Sequence, residues 1–287
     1  MVTSIDIGEN GRLGNQLFQY AAVKALALEN NYDCVLPDLS KKTWHGQDCL
    51  LSNFNLECSF SDNINYSSNY IEPSIENFDP DFFNLSDNTN ISGFFQNVKY
   101  FEKFNKQICK ELTLKDSIQL EAKKILDNYR SQYPGFEFVS LHIRRGDTIT
   151  VNVDYGKRMF GKDPAKLETD SVWCQYFLNA KDIFADRDVK FLIFTGGNRD
   201  NKDVSDLEWV NTNFPGKNYI LATTEDPLLD FSLISQCDHN ILSHVTSFGW
   251  WASYINTNQN KIMVAPQDYF TDNSNPSRLM TNEFILI

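Results

Sequence analysis

Two neighbouring arginines follow an apolar run in the middle of the chain. The run FEFVSLHI, which contains His142, leads directly into Arg144 and Arg145. If it forms a strand of a parallel sheet, both arginines lie outside its carboxyl end, where such sheets bind ligands. A guanidinium group matches phosphate oxygens in bidentate geometry, so a diphosphate is the expected ligand. The alternative is an arginine pair neutralised by a local carboxylate, most simply Asp147.

Two hydroxyl residues open a second candidate anion site. Thr246 and Ser247 precede FGWWASYI, an apolar stretch with the length of a short helix. A helix start offers free N–H groups and the positive end of the helix dipole, which stabilise a phosphate. The alternative is that Ser247 only caps the helix. Trp250 and Trp251 are expected to pack in the interior, because a short amphipathic helix must bury one face.

A glycine loop near the start of the chain is the third candidate. The segment G-R-L-G-N-Q at 11–16 follows a short predicted strand and precedes a predicted helix. It is neither the G-x-G-x-x-G of dinucleotide-binding proteins nor a phosphate loop with its lysine. Its glycines allow close backbone approach, and Asn15 can offer an amide to a ligand. The alternative is a tight turn with no ligand.

The elements that position these residues alternate between strand and helix patterns. From residue 136 onwards, strand-like runs such as VKFLIFT and KIMVA are separated by helical patterns such as DPLLDFSLISQC. This order predicts a parallel sheet with helical crossovers, a Rossmann-like domain at 135–287. A long amphipathic helix ending at Pro134 closes the first predicted domain, 1–134. Within it, residues 43–98 are acidic and weakly periodic, and we expect loops and short elements there rather than a sheet core.

Composition excludes several classes of protein. The 287 residues include 26 Lys and Arg against 38 Asp and Glu, a net charge of −12 that disfavours nucleic acid as a partner. Six cysteines without a C-x-x-C pair indicate neither a zinc ribbon nor a redox dithiol. The first residues have neither the basic start nor the apolar core of a leader peptide, and no run approaches eighteen apolar residues, so we expect a cytoplasmic protein with reduced thiols. Peripheral membrane contact stays open.

Several of these segments together resemble one family. GRLGNQLFQYA, HIRRGD and SFGWWASYI look like the marker motifs of the alpha-1,2-fucosyltransferase family, and GFFQNVKYF at 93–101 is similar to a further family segment. The match spans most of the chain in the right order. It implies an α/β protein of GT-B-like architecture, in which two Rossmann-like domains face a central cleft. Residues 1–134 would then lie on the acceptor side, and 135–287 would bind GDP-fucose.

The resemblance also implies an activity. It is that of an inverting galactoside alpha-1,2-L-fucosyltransferase, which moves fucose from GDP-fucose to the 2-hydroxyl of a galactose in a glycan without a cofactor. Arg144 would grip the β-phosphate as a catalytic group. The further donor-binding residues that the resemblance implies are Asn15, Arg12, His142, Arg145, Thr246 and Ser247.

The chain departs from the family pattern after the run FLIFT. Many relatives have an acidic S-D-D there, where a carboxylate can read the guanine edge. This chain has Thr195-Gly196-Gly197 instead, followed by an insertion before SDLEWV. Asp206 is our candidate for the displaced carboxylate.

Carboxylates also bear on the catalytic base and on a metal. Inversion by direct displacement needs a base near the acceptor hydroxyl, and Asp147 is the simplest candidate. A carboxylate beside two arginines has a lowered proton affinity, however, and can be purely structural. His142 and Asp154 are weaker candidates. A metal-binding D-x-D follows an apolar strand. The triplet at 79–81 lies in the acidic segment and the triplet at 186–188 precedes its strand, so we expect no metal site.

Other functions stay open at this level. The chain could transfer another nucleotide-linked sugar, or use another acceptor hydroxyl. It could also bind a nucleotide sugar or a glycan without catalysis. Stacking residues for the acceptor are hard to choose, since aromatic side chains more often pack a domain. The candidates are Trp44, His45, Phe94 and Phe95.

Overall fold

The structure is a computed structural model that describes residues 1–144, 172–196, 206–222, 224, 226–244, 246–267 and 278–287, with the backbone alone at 172–174. Its contacts divide the chain into two compact units. The first comprises Met1–Ser117 and Ser277–Thr281, and the second comprises Ile118–Pro276 and Asn282–Ile287.

The first unit is an α/β fold built on short parallel strands. Its elements are β1 (Val2–Thr3), α1 (Leu13–Asn30), β2 (Val35–Leu36), β3 (Thr43–Trp44), β4 (Gln47–Asp48), β5 (Ser59–Phe60), β6 (Ser68–Ile71), β7 (Thr89–Ser92) and α2 (Asn105–Glu111). Strands β1, β7 and β6 form a parallel sheet in that order, and β2 pairs in parallel with β5. Helix α1 is buried from Leu13 to Ala27 except at Asn15, and its buried residues include the polar Gln16, Gln19 and Lys24.

The acidic segment 43–98 corrects one expectation. It supplies β6 and β7, so it forms part of the sheet rather than only loops that cover a domain. We missed β7 because it reads Thr-Asn-Ile-Ser, in which Ile91 is the one apolar residue. Its buried Asn90 is satisfied by hydrogen bonds: Nδ2 donates to Asn69 Oδ1 at 2.6 Å, and Oδ1 accepts the Ile5 N–H at 3.0 Å. Polar residues therefore occupy the middle strand of this sheet.

The second unit follows the alternation that the sequence predicts. Its elements are α3 (Asp116–Gln132), which begins at the division between the units, β8 (Glu137–Ile143), α4 (Val172–Asp182), β9 (Val189–Thr195), α5 (Asp206–Asn213), β10 (Tyr219–Leu221), α6 (Pro227–Gln236), β11 (His239–Ile241), α7 (Ser247–Tyr254), β12 (Met263–Ala265) and β13 (Phe284–Leu286). Of these, β13 was not predicted.

The strands of the second unit form one parallel sheet. Within the described ranges their order is β10-β9-β8-β11-β12-β13. Along the chain, β9 and then β10 are added on one side of β8. The next strands, β11, β12 and β13, are added in turn on its other side. The carboxyl ends of β8 and β11 mark the topological switch point, where open α/β sheets bind ligands in a crevice.

The helix before Pro134 belongs to the second unit. Arg130 of α3 pairs with Asp238 at 3.2 Å, and Gln236 Nε2 donates to Gln119 O at 3.2 Å. The predicted boundary at Pro134 thus follows the last residue of α3. The division between the two units, as their contacts define it, lies instead near the first residues of α3. An amphipathic helix with Pro-Gly after it looks like the end of a domain, although α3 packs on later elements of the chain.

Candidate functional site

Arg144 leaves the carboxyl end of β8 at the switch point. Its backbone N–H donates to the Oγ of Ser243 at 3.0 Å. Ser243 is buried and comes after β11, so this hydrogen bond joins the two strand ends at the switch point. The structure therefore positions Arg144 where the sequence predicts an anion. Arg145, Asp147 and Asp154 lie outside the described residues.

His142, the second-last residue of β8, packs against the start of α7. Thr246 Oγ1 lies 3.1 Å from its Nδ1 and accepts the Gly249 N–H at 3.0 Å. The contact is satisfied when the Thr246 hydroxyl donates to Nδ1, which leaves the imidazole proton on Nε2. Burial, and next the charge of Arg144, lowers the pKa of His142 to about 3. A neutral imidazole of such low basicity can donate a hydrogen bond, but it is a poor general base.

The residue that caps α7 is Thr246. Its extended backbone and the hydrogen bond from Gly249 N to its hydroxyl are the features of an N-cap. The alternative that Ser247 serves as the cap is therefore wrong by one residue, and Ser247 is instead the first residue of the helix. Trp250 and Trp251 are fully buried, which confirms their predicted packing role.

Asp206 comes close to the carboxyl end of β9. It begins α5, is almost fully buried, and its Oδ2 lies 3.8 Å from the position that a Cβ on Gly196 would occupy. In the sheet register Ile143 pairs with Thr195. The next residues of the two chain segments are Arg144 and Gly196, so these two residues lie side by side. The carboxylate after the insertion thus reaches the same edge as the arginine.

A further acidic residue near this edge was missed by the sequence analysis. Asp230 lies in the first turn of α6, and Thr224, which comes after β10, donates a hydrogen bond to its Oδ1. Burial, together with the nearby charge of Asp226, raises the pKa of Asp230 to about 7. Nothing in the sequence marks this aspartate, because its shifted pKa arises from tertiary packing.

In the first unit, the glycine loop is held by side chains of α1. Gly11 has φ of +96°, and a Cβ there would meet Asn15 Nδ2 at 2.3 Å, so no other residue fits. Gln16 Nε2 donates to Gly11 O at 3.1 Å, while Gln16 Oε1 accepts the Leu50 N–H at 3.3 Å. Arg12 is exposed beside this turn. The segment is a fixed turn, whether or not it also binds a ligand.

Asn15 is oriented by a residue that the sequence analysis did not single out. Gln96 Nε2 donates to Asn15 Oδ1 at 2.8 Å. The turn that carries Gln96 is itself held by Glu72, whose Oε2 accepts the N–H groups of Phe94 at 2.8 Å and Phe95 at 2.9 Å. Burial of Glu72 raises its pKa. The family-like segment 93–101 and the glycine loop are thus joined through one amide pair.

The aromatic candidates for the acceptor differ in their surroundings. Phe95 is fully buried, and its ring lies 5.7 Å from that of Phe82 and 5.2 Å from that of Tyr100. It is a core residue, so its candidacy as an acceptor contact is wrong. Trp44 and Phe94 are partly exposed, and His45 is exposed. The ring centroids of His45 and Trp44 lie 4.4 Å apart.

Neither a metal-binding cluster nor a membrane-spanning helix occurs among the described residues. In those ranges no three His, Cys, Asp or Glu side chains are grouped so that they could hold a metal ion. Chemistry without a metal stays a prediction. Among the same residues, no helix has the length and low polarity required to cross a lipid bilayer.

The fold and the switch-point site together define the class of the protein. Two units with parallel sheets, the second in the Rossmann strand order, confirm the predicted GT-B-like α/β class. The chain belongs to glycosyl transferase family 11, whose pattern matches residues 2–276.

Curated relatives share this family resemblance at modest identity. The galactoside alpha-(1,2)-fucosyltransferase 1 of Homo sapiens is 28% identical over 254 residues, which cover 86% of this chain and 64% of the relative. The Rattus norvegicus protein of the same name is 25% identical over 266 residues, covering 87% and 62%. The chain thus spans less than two thirds of the length of these relatives.

Fucosyltransferases are among the solved structures of similar fold. Fucosyltransferase NodZ from Bradyrhizobium has a TM-score of 0.53 at 15% identity, over 88% of this chain and 91% of that one. POFUT1 in complex with GDP-fucose has a TM-score of 0.53 at 14% identity, over 91% and 96%. At such identities the likeness establishes the fold.

Proposed function

We propose that the protein is a GDP-fucose-dependent galactoside alpha-1,2-L-fucosyltransferase. The observation that carries the proposal is the position of Arg144 at the switch point of a Rossmann sheet, in a chain of glycosyl transferase family 11. Two further facts support it. The curated relatives are named galactoside alpha-(1,2)-fucosyltransferases, and proteins of this fold have been crystallised with GDP-fucose.

The charge at the crevice suits the departure of a nucleoside diphosphate. As GDP leaves, negative charge grows on the β-phosphate while the sugar becomes oxocarbenium-like. A guanidinium aimed at that phosphate stabilises the transition state more than the ground state. In the proposal Arg144 supplies this interaction, with Arg145 beside it. The first turn of α7, which starts at Ser247, adds N–H groups and the positive dipole end.

The neighbouring side chains position the donor in this proposal. The neutral His142 offers its Nε2–H as a hydrogen-bond donor, and its Nδ1 is engaged by Thr246. Asp206 is the candidate for reading the guanine edge, since its carboxylate reaches the end of β9. Asn15 and Arg12 of the first unit are assigned to the donor phosphates, with Asn15 oriented by Gln96.

The acceptor hydroxyl requires a base, for which Asp147 is the candidate. In this assignment the base accepts the proton of the galactose 2-hydroxyl as that oxygen attacks the anomeric carbon from the face opposite GDP, which inverts the configuration. The donor phosphates leave with their charge compensated by the arginines, so the scheme has no step that calls for a metal.

The experiment is a transfer assay with GDP-fucose and lactose in the presence of EDTA. We expect a fucosylated product whose linkage, determined by NMR, is alpha-1,2. Faster turnover with GDP-mannose would replace the donor assignment, and a product linked elsewhere would replace the acceptor assignment. Tight GDP-fucose binding without transfer to any acceptor in a glycan library would indicate a binding protein.

A matched pair of arginine variants tests the site itself. Arg144→Ala should lose about 2–4 kcal/mol of transition-state stabilisation, or on the order of 30- to 1000-fold in kcat/KM. Arg187 pairs with Glu137 at the opposite edge of the same sheet, at 3.0 Å, so Arg187→Ala serves as the control. Equal kcat/KM in Arg144→Ala and Arg187→Ala would remove the proposed role of Arg144.

A further inference from the structure

Two cysteines of the first unit meet where β2 and β5 pair. Val35 pairs with Ser59 in parallel register, and the Ser59 N–H donates to Cys34 O at 3.0 Å. Cys34 directly precedes Val35, and Cys58 directly precedes Ser59, so the two cysteines lie side by side in the same register. Neighbouring strands are about 4.8 Å apart, within the roughly 4.4–6.8 Å range of Cα separations that a disulfide spans.

The two thiols differ in access. Cys34 is buried, whereas Cys58 is partly exposed. Both line a surface cavity of about 380 Å³ that also contains Lys24, Glu57 and Ser59. A small reagent that enters this cavity therefore meets Cys58 before Cys34.

The two thiols also differ in acidity. The adjacent Cys34 thiol, with a smaller contribution from the Lys24 ammonium, lowers the pKa of Cys58. The adjacent Cys58 thiol, together with burial, raises the pKa of Cys34. Elsewhere in the described chain, burial raises the pKa of Cys49 to about 11 and raises that of Cys237 as well. Because the thiolate is the nucleophile, Cys58 is the reactive partner of the pair.

We propose that Cys34 and Cys58 form a redox-active dithiol that closes into an intrachain disulfide on reaction with a small disulfide such as oxidised glutathione. The Cys58 thiolate attacks one sulfur of the oxidant, forms a mixed disulfide and releases one glutathione thiolate. Cys34 gives up its proton and attacks the Cys58 sulfur, which forms the intrachain bond and releases the second glutathione. The two protein thiols lose two electrons and two protons, and one oxidised glutathione becomes two glutathione thiols.

The bond would close a loop that reaches the glycine turn. Residues 35–57, between the two cysteines, contain β3, β4 and Leu50, whose N–H donates to Gln16 Oε1. Oxidation would thus restrict the segment that holds Gln16. The dithiol itself does not depend on the proposed transferase activity, because its chemistry uses no residue of the switch-point site.

Peptide mapping tests the proposal. The native full-length protein is incubated with oxidised glutathione, its remaining thiols are alkylated, and its peptides are identified by mass spectrometry. We expect a linked Cys34–Cys58 peptide as the main product. In Cys34→Ser the reaction should end at the mixed disulfide between glutathione and Cys58. Cys58→Ser should leave Cys34 unmodified. The control is Cys109→Ser, because Cys109 does not line the cavity and its thiol donates to Asn105 Oδ1 at 2.9 Å. This variant should give the wild-type linkage.

A second measurement needs no variant. The alkylation rate of Cys58 in the native protein, measured against pH, should have a midpoint below the value of about 8.5 for an ordinary thiol. A midpoint at or above 8.5 would overturn the proposal. So would glutathione that stays on Cys58 in the wild-type protein, or a disulfide that joins two chains or another pair of cysteines.

Discussion

Gly249 lies so close to His142 that a Cβ on the glycine would meet the imidazole Nδ1 at 2.6 Å. This contact joins the first turn of α7 to the carboxyl end of β8, which lies immediately before Arg144. A helix start and a guanidinium are therefore fixed at one edge of the sheet. The glycine in the motif S-F-G-W-W serves packing rather than backbone freedom.

Gly249→Ala should disturb this edge. The added methyl must displace the imidazole or shift α7, and overpacking of this kind costs about 1–3 kcal/mol. We expect a lower free energy of unfolding and weaker binding of GDP, measured by denaturant titration and calorimetry. The same substitution made in a His142→Ala background should cost much less, because the clashing ring is gone. Equal costs in both backgrounds would show that the imidazole is not what the methyl meets.

Thr246 should matter more for stability than Ser247. Thr246→Val removes the hydroxyl that accepts the Gly249 N–H and contacts His142, and loss of an N-cap costs about 1 kcal/mol. Thr246→Ser keeps the hydroxyl and should retain most of the stability. Ser247→Ala should lower the free energy of unfolding less than Thr246→Val does, because Ser247 is not the cap. A larger loss in Ser247→Ala than in Thr246→Val would contradict the cap assignment.

Asp230 should make the protein less stable as pH rises. Its pKa of about 7 in the folded state lies above the value of about 3.9 in an unfolded chain, so the folded state binds the proton more tightly. The stabilisation is fully present below pH 4 and is lost as pH rises through 7. Asp230→Asn keeps an acceptor for Thr224 and removes the charge. We expect a Tm higher than wild type by roughly 4–8 °C at pH 8, from about 2 kcal/mol, and little difference at pH 4. A shift of the same size at both pH values would refute the raised pKa.

Gln96 should affect donor binding through Asn15. Gln96→Ala removes the amide that donates to Asn15 Oδ1, a hydrogen bond that contributes about 1 kcal/mol. We expect an increase of roughly fivefold in the KM for GDP-fucose with little change in the free energy of unfolding. Gln96→Glu has the same shape but cannot donate when ionised, so it should behave like Gln96→Ala. An unchanged KM in both variants would separate Asn15 from the donor.

The second unit was predicted well because its elements have strong periodicity. The run VKFLIFT coincides with β9, and SFGWWASY coincides with α7, since buried parallel strands and apolar helices leave continuous apolar patterns. The first unit was harder to predict. Strand β7 is buried through hydrogen-bonded polar residues such as Asn90, which produce no hydrophobic pattern.

The site was predictable in part. The position of Arg144 was predicted from the end of an apolar strand, and that of Asn15 from a glycine loop. The partners of these residues were not predicted, because Gln96 and Ser243 lie about 80 and 100 residues away in sequence and meet them only through the fold. The pKa of Asp230 likewise depends on burial that no local motif encodes.

The affinities of GDP and GMP, measured by calorimetry for wild type and Arg144→Ala, test the central claim most directly. If the Arg144 guanidinium holds the β-phosphate, Arg144→Ala should weaken GDP binding by about 10- to 100-fold and leave GMP binding nearly unchanged, because GMP lacks that phosphate. Arg187→Ala, at the opposite edge of the sheet, should change neither affinity. Equal losses for GDP and GMP in Arg144→Ala, or no loss for either, would contradict the account.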